Sequence, residues 1–432
     1  MTTDAPSATS PTGIATAGPR ERWLVGIALG LIALHIVDDN FLQPQPGTSA
    51  ADHLVSGLVP LALIVLLGWG YLHWRPGVRA VVATLLGVLG ITVGTEAVYY
   101  FSKGDAGGDD FTGVLAIAAG FALLGCAVVV LWRSRRVDDR RWWRYLRRSL
   151  VGLVALVLAY VAVLPFGASY VMTHVAATDV PTPNLGAPYE DVEFTTSDGL
   201  TLRGWYVPSR NGAAVVVVPG LSNTQDDEAR MLVRHGYGVL LLVRRGEGES
   251  DGDPNMLGWA ASEDVHAAVD FLSTRPDVDP DRIGGIGFSV GGEILIQAAA
   301  ESDQLAAIVS EGGSSRSVRD DLNFSDWPER WIIPSSALIT TGVAVFGNQA
   351  PPPALKDLAP KISPQAVFLI YAADGQPGEV KLTDDYYAAA DQPKRIWEVP
   401  DGGHIGGYAA HPQEYEQRVV DFFDTEILGT SP

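Results

Sequence analysis

The pentapeptide Gly287-Phe288-Ser289-Val290-Gly291 has the residue types of a nucleophilic serine carried on a tight turn. A serine hydroxyl of ordinary acidity is a poor nucleophile and needs a base, itself held by a third group. Glycines two positions before and after let the chain turn sharply and lift the hydroxyl above the end of a sheet. In a chain with 47 glycines the five residues alone are a weak signal. Their setting is stronger. The apolar run Ile283–Phe288 reads as a strand, and a helical run starts at Gly292-Glu293. The bland alternative is a glycine-rich loop with a hydrogen-bonded structural serine.

On such a strand–turn–helix scaffold the acid follows the serine in the chain and the histidine comes last. His404, in "VPDGGHIGG" just past the predicted strand Arg395–Val399, fits that order. His411 begins the final helix and reads as a surface residue, while His174, His235 and His266 precede the serine. For the acid, Asp374 lies closest to the end of the predicted strand Val367–Tyr371 and is the first expectation. Glu379, five residues later in the same loop, is its rival. Acyl transfer also needs backbone donors for the developing oxyanion. Val290 N–H, directly after the nucleophile, would be one, and Leu221 N–H, in "PGLSNTQDD", the other. No metal or organic cofactor is implied.

The elements that must position these groups alternate. "DVEFTTSDGLTLRGWYVPS" gives a hairpin around Ser197-Asp198-Gly199. Buried-strand candidates follow at Ala214–Val218, Val239–Val243, Ile283–Phe288, Ala306–Ser310, Val367–Tyr371 and Arg395–Val399. Their near-continuous Val/Ile/Leu content suits strands covered on both faces. Helical stretches such as Trp259–Ser273 and Glu293–Ala300 lie between them. The class is α/β, a mostly parallel sheet flanked by helices over residues 190–432.

This half of the chain resembles the α/β-hydrolase superfamily, of the serine esterase and serine aminopeptidase-like kind. The resemblance rests on "FTTSDGLTLRGWYVPS", "VVVVPGLS", "RRGEGESDG" and "DVHAAVDFLSTRPDVDPDRIGGIGFSVGG", and runs from about Asp191 to Leu428. It implies Ser289 as nucleophile, His404 as base, and Asp374 or Glu379 as acid. Pro219 stands where the usual pattern has histidine, and the acid loop lacks a clean G-x-x-D. An insertion at about 312–363 occupies the place of a substrate-covering cap. Trp327, Trp331, Ile332, Ile333 and Phe346 would line its apolar entrance, unless the segment is a helix pair simply packed on the sheet.

Residues 1–172 carry 13 Lys and Arg against 11 Asp and Glu, whereas residues 173–432 carry 17 against 39. An apolar, faintly basic first part joined to an acidic second part reads as a membrane domain fused to a soluble one. The acidic part would repel nucleic acid. The single cysteine, Cys126, permits no intrachain disulfide. After a Ser/Thr/Pro/Ala-rich start (1–19, expected disordered), five apolar runs occupy residues 20–172, and a linker covers 173–189. Four runs have at least 21 residues, enough to cross a hydrocarbon core of roughly 30 Å. The first, Trp23–Val37, has 15.

Eight arginines from Arg133 to Arg148 precede the fifth run, which places that loop in the cytoplasm, the N-terminus inside and the hydrolase domain outside. His35, Asp38, Asp39 and Glu96 fall near the outer ends of their segments and are expected at the wet interface.

These features predict a multi-pass protein of the cell membrane whose soluble domain cleaves esters, lipid-like ones among the candidates, through an acyl-enzyme. Its partners would be such a substrate and the bilayer. The same triad serves a serine peptidase or an acyltransferase, and a catalytically silent ligand-binding or sensor domain is the reading from a different class.

Overall fold

The computed structural model describes residues 17–104, 106–134, 140–175, 180–221, 225–323, 330–376 and 378–430. Most of the Ser/Thr/Pro/Ala-rich start, the middle of the Arg-rich loop (135–139) and Trp327 lie outside them. The chain divides into two units. One is Met1–Gln43 with Gly57–Gly167, and the other is Pro44–Ser56 with Ala168–Pro432.

Among the described residues five helices are long and apolar enough to cross a membrane: Pro19–Leu42, Leu54–His73, Pro76–Lys103, Gly108–Arg133 and Arg141–His174. The first is longer than its apolar run. Pro19 starts it, and a wide turn at Asp38–Leu42 continues it through polar residues. In the first unit, small residues let two helices touch backbone to backbone: a Cβ on Gly87 would stand 2.9 Å from Gly120 O.

The interfacial expectation for His35, Asp38, Asp39 and Glu96 needs correcting, because all four are buried. His35 Nε2 lies 3.0 Å from Val93 O and its Nδ1 3.2 Å from Thr112 Oγ1. Thr112 in turn donates to Asp38 Oδ2 at 2.9 Å. His35 and Asp38 thus reach partners on neighbouring helices, which helps to make their burial tolerable, while Asp39 accepts from Asn40 beside it.

The second unit holds an eight-stranded sheet in the order β1-β2-β4-β3-β5-β6-β7-β8. The strands are β1 (Glu190–Thr195), β2 (Thr201–Val207), β3 (Ala214–Val218), β4 (Gly238–Val243), β5 (Ile283–Phe288), β6 (Ala307–Glu311), β7 (Ala366–Ala372) and β8 (Lys394–Val399). β1 and β2 form the predicted hairpin, β2 runs antiparallel to β4, and all later pairs are parallel. Successive residues of one strand enter different cores: Val216 and Val218 pack on one face, Val215 and Val217 on the other. That two-sided burial is why these strands read as unbroken apolar runs.

The chain order reverses beside β3, which pairs with β4 on one side and β5 on the other. The carboxyl ends of strands at such a reversal border the crevice where open α/β sheets place their ligands.

The boundaries of the second unit differ from the sequence expectation in two places. It takes in Pro44–Ser56, whose Pro46 carbonyl accepts from Gly252 N–H at 2.8 Å. It also takes in the last turns of the fifth long helix. Ser169 Oγ donates to Ile339 O at 3.0 Å, Met172 O accepts from Met256 N–H at 2.9 Å, and Tyr170 meets Phe346 edge-on at 5.5 Å.

Ile286, in the middle of β5 and fully buried, tests the sheet core. Ile286→Ala is expected to destabilise the domain by about 2–5 kcal/mol. In detergent-solubilised protein this should appear as a fall in Tm on the order of 10 °C. A fall of only a degree or two would contradict the packing.

Candidate active site

Parallel pairing aligns the strand ends that carry the chemistry. Val218 at the end of β3 lies opposite Gly287, and Phe288 at the end of β5 lies opposite Glu311. Ser289 follows at once with φ 51° and ψ −124°, a conformation that L-residues rarely adopt and that costs of order 1–3 kcal/mol. Three backbone bonds hold it: Ser289 N–H donates to Glu311 O at 2.8 Å, while Gly292 and Glu293 N–H donate to Ser289 O at 2.9 and 3.2 Å. The helix Val290–Glu301 begins immediately after. Gly291 has to be glycine, because a Cβ there would lie 2.2 Å from Val218 O. The strand–turn–helix setting read from the sequence is therefore the local structure.

The structure brings Ser289, His404 and Glu379 together. Ser289 Oγ lies 2.8 Å from His404 Nε2, and His404 Nδ1 lies 2.7 Å from Glu379 Oε2. With Nδ1–H donating to the carboxylate, Nε2 is free to accept the serine proton. Burial alone would raise the Glu379 pKa. The bond from His404 and the N–H groups of Gln376 and Ala372 outweigh burial and hold the carboxyl below its ordinary value of 4.5. A depressed pKa means that this carboxylate stabilises the fold fully above 4.5, and that the contribution is lost as pH falls through the lowered value.

Asp374, the first expectation for the acid, does not reach the imidazole. It is exposed and accepts from Gly403 N–H at 2.9 Å, bracing the histidine loop from outside. Glu379 is not a loop residue. It opens the helix Glu379–Ala389 after Gly378 at φ 86°, and that helix start turns the side chain back under the sheet edge, where it is fully buried. His411 pairs with Asp401 at the surface, as its place at a helix start suggested.

Of the two expected oxyanion donors, Val290 is the first residue of its helix, where the N–H has no intrahelical acceptor. Leu221 is half-exposed beside Gly220, and a Cβ on Gly220 would stand 3.4 Å from Ser289 Cβ. The loop after β3 thus lies against the nucleophile. Arg244, in the turn after β4, donates to Gly220 O at 3.4 Å and helps to fix that loop.

Buried carboxylates surround the triad, and their roles went unread in the sequence. Glu293 accepts from Ser314 N–H at 2.8 Å, and burial pushes its pKa up to about 7 despite nearby Arg316. Glu311 accepts from Gly407 N–H and Tyr415 O–H. Both stand at ends of elements that the sequence did place. The missing signal was an acid at the inner end of an apolar run.

The segment expected to form a cap, about 312–363, is described at 312–323 and 330–363. Its helix, Ile333–Phe346, borders a cavity of 240 Å³ lined by Ile332, Ile339, Leu257, Leu382 and Met172. Of the other residues expected to line an entrance, Trp331 is exposed and Phe346 packs on Tyr170 and His174 instead. A larger hollow of 990 Å³ near β8 is lined by Arg395, His411, Glu414 and Arg418 and contains none of the triad.

Comparison with known proteins gives matches of several kinds. Residues 168–335 match the profile of the X-Pro dipeptidyl-peptidase (S15) family. The chain is 30% identical over 220 residues to the uncharacterized protein Rv2307c of Mycobacterium tuberculosis, covering 50% of this chain and 72% of that protein. It is 38% identical over 130 residues to the polyketide transferase grgF of a Penicillium species, covering 28% of this chain and 44% of that one. Among solved structures, the esterase Pf2001 of Pyrococcus furiosus aligns with a TM-score of 0.48 and 22% identity, over 59% of this chain and 98% of that one.

The two carboxylates can be separated by activity on an activated ester. Glu379→Gln leaves the imidazole without its charged partner and is expected to lower kcat by ~10³–10⁴-fold. Asp374→Asn keeps an acceptor for Gly403 and should stay within about threefold of the native rate. The reverse ranking would overturn the geometric assignment.

Proposed function

Because this chain belongs to the α/β-hydrolase superfamily, we propose that it is a membrane-anchored serine hydrolase cleaving carboxylic esters through an acyl-enzyme. The observation that carries the reading is the continuous relay from Ser289 Oγ to His404 to Glu379, at 2.8 and 2.7 Å.

In the first half-reaction Ser289 Oγ attacks the ester carbonyl while its proton passes to His404 Nε2. Glu379 stabilises the resulting imidazolium. The oxyanion forms beside Val290 N–H and the loop at Gly220-Leu221, where each donor is worth ~10²–10³ in rate. His404 then returns the proton to the leaving alkoxide. Water, deprotonated by the same imidazole, releases the acid and restores the serine.

The substrate reading rests on the cap. The hydroxyls around the cavity are already engaged: Ser314 bonds Glu293, Ser315 and Ser336 bond Asp321, and Thr340 accepts from Val318 N–H. Beside Arg316, Ser317 and Asp321, the remaining walls are Met172, Leu257, Ile332, Ile339 and Leu382, and none of Ser289, His404 and Glu379 borders the space. These apolar walls support an apolar acyl group, and the volume does not bound its length.

The likeness to a polyketide transferase favours a second reading, transfer of the acyl group to a non-water acceptor. The five long apolar helices support anchoring, and the arginine-rich loop before the fifth supports an extracytoplasmic hydrolase domain.

Fluorophosphonate probe should label the native chain in membranes and leave Ser289→Ala unlabelled. On p-nitrophenyl esters of graded length, butyrate and longer acyl chains should turn over faster than acetate. Free acid should remain the main product when dilute alcohol is added, and new ester outpacing acid there would favour acyl transfer as the activity. Absence of labelling in folded protein would sink the enzyme reading. On intact spheroplasts, external protease should reach the hydrolase domain; protection there with digestion after lysis would overturn the orientation.

A further inference from the structure

Glu311 closes β6 and is almost wholly buried. Its contacts converge on the site from three directions. The backbone carbonyl accepts Ser289 N–H at 2.8 Å, fixing the strained nucleophile turn. One carboxyl oxygen accepts Gly407 N–H at 2.9 Å, three residues beyond His404. The other accepts Tyr415 O–H at 2.6 Å, from the helix Pro412–Phe423 that follows the histidine loop. The fit leaves little slack, since a Cβ on Gly407 would stand 2.9 Å from Glu311 Oε1.

Both carboxyl oxygens are therefore acceptors, the arrangement that matches an ionised group. The titratable groups whose charges it feels come from every side. They are Glu379 at the start of its helix, His404 in its loop, Tyr415 on the last helix and Glu228 on the helix Asp226–Arg234.

We propose that Glu311 is a positioning residue of the catalytic site. It ties the nucleophile turn, through its backbone carbonyl, and the histidine loop, through its carboxyl, to one residue, and its charge adds to that of Glu379 in stabilising the protonated imidazole. The inference rests on the reading of Ser289, His404 and Glu379 as a working triad. Burial holds the Glu311 pKa above its ordinary value, against the opposing donors from Tyr415 and Gly407 and the nearby His404. The role follows from geometry: one residue holds both halves of the Ser289–His404 hydrogen bond at fixed separation. A displacement of about 1 Å between reacting groups can cost ~10²-fold in rate.

The test uses the full-length protein in detergent, with kcat and KM for p-nitrophenyl butyrate measured across pH. The acid limb of kcat/KM reports protonation of the base in the free enzyme. Removing a negative charge near an imidazolium lowers the imidazole pKa, so the limb moves to lower pH.

Glu311→Gln should lower kcat by ~10²-fold, leave KM within a few-fold, and shift the acid limb to lower pH. Tyr415→Phe, which removes one donor but keeps the carboxyl, should move both in the same direction by less. Folded Glu311→Gln protein with native kcat, or with its acid limb in the native place, overturns the proposal. If Glu311→Gln does not fold, native kcat and an unmoved limb in Tyr415→Phe overturn it equally. A native chain that neither takes the fluorophosphonate label nor turns over the ester sinks the triad reading itself. An active, labelled native chain beside an unaffected Glu311→Gln variant sinks only the role of Glu311.

Discussion

The second unit depends on how closely the turn at Ser289 approaches the end of β3. Gly291 lies so near Val218 O that no side chain fits, and a Cβ on Gly220 would already touch Phe288 O and Ser289 Cβ. Such contact is possible only if β3 and β5 are direct parallel neighbours in one register, with Val218 against Gly287. That pairing in turn demands helical crossovers and two covered faces, because parallel strands cannot be joined by tight turns. The strain at Ser289, with φ 51°, persists because strands on both sides over-determine it. The fold and the strained residue are thus one constraint seen at two scales.

Electrostatics imposes the second constraint. One imidazole faces two buried carboxylates, Glu379 and Glu311, and Glu293 lies one helical turn beyond the serine. Buried anions require donors in proportion. Backbone N–H groups serve most of them: Gln376 and Ala372 for Glu379, Gly407 for Glu311, Ser314 for Glu293. Arg316 is the buried cation whose charge Glu293 feels. Its guanidinium is consumed by Leu257 O, Gly258 O and Gln297, so it frames the base of the cap rather than the reacting centre. The acids nearest the histidine are therefore balanced by dipoles, which leaves the imidazole as the group best placed to take up positive charge.

Much of this was legible in the sequence, because local pattern and global fold agree. The strands were placed to within a residue or two from apolar runs, and the turn and His404 from spacing and chain order. What stayed hidden depends on direction rather than position. Asp374 and Glu379 are five residues apart in what reads as one loop. Only the helix starting at Glu379 aims one inward and leaves the other in solvent. Glu311 ends an apolar strand, where period and propensity say nothing of which loop it will meet. The attachment of Pro44–Ser56 through Pro46 and Gly252 joins residues some two hundred positions apart, beyond any local signal. His35 and Asp38 were visible as polar residues in apolar helices, but their burial depends on Thr112 from another helix.

The role of the long helices looks different once the boundary of the second unit is placed at Ala168. A tether would end before the domain begins. Here the final turns of the fifth long helix are part of the domain: Met172 lines the cavity, Ser169 bonds the cap helix, and Tyr170 packs on Phe346. The helix Ile333–Phe346 is mostly apolar, with Ser336 and Thr340 engaged in hydrogen bonds. Tyr170 and His174 cover it at its Phe346 end. The cavity and the end of the long apolar helix thus share the same contacts. The supports of Ser289, His404 and Glu379 come instead from the sheet, its helices and the histidine loop, so the two parts of the second unit rest on different elements.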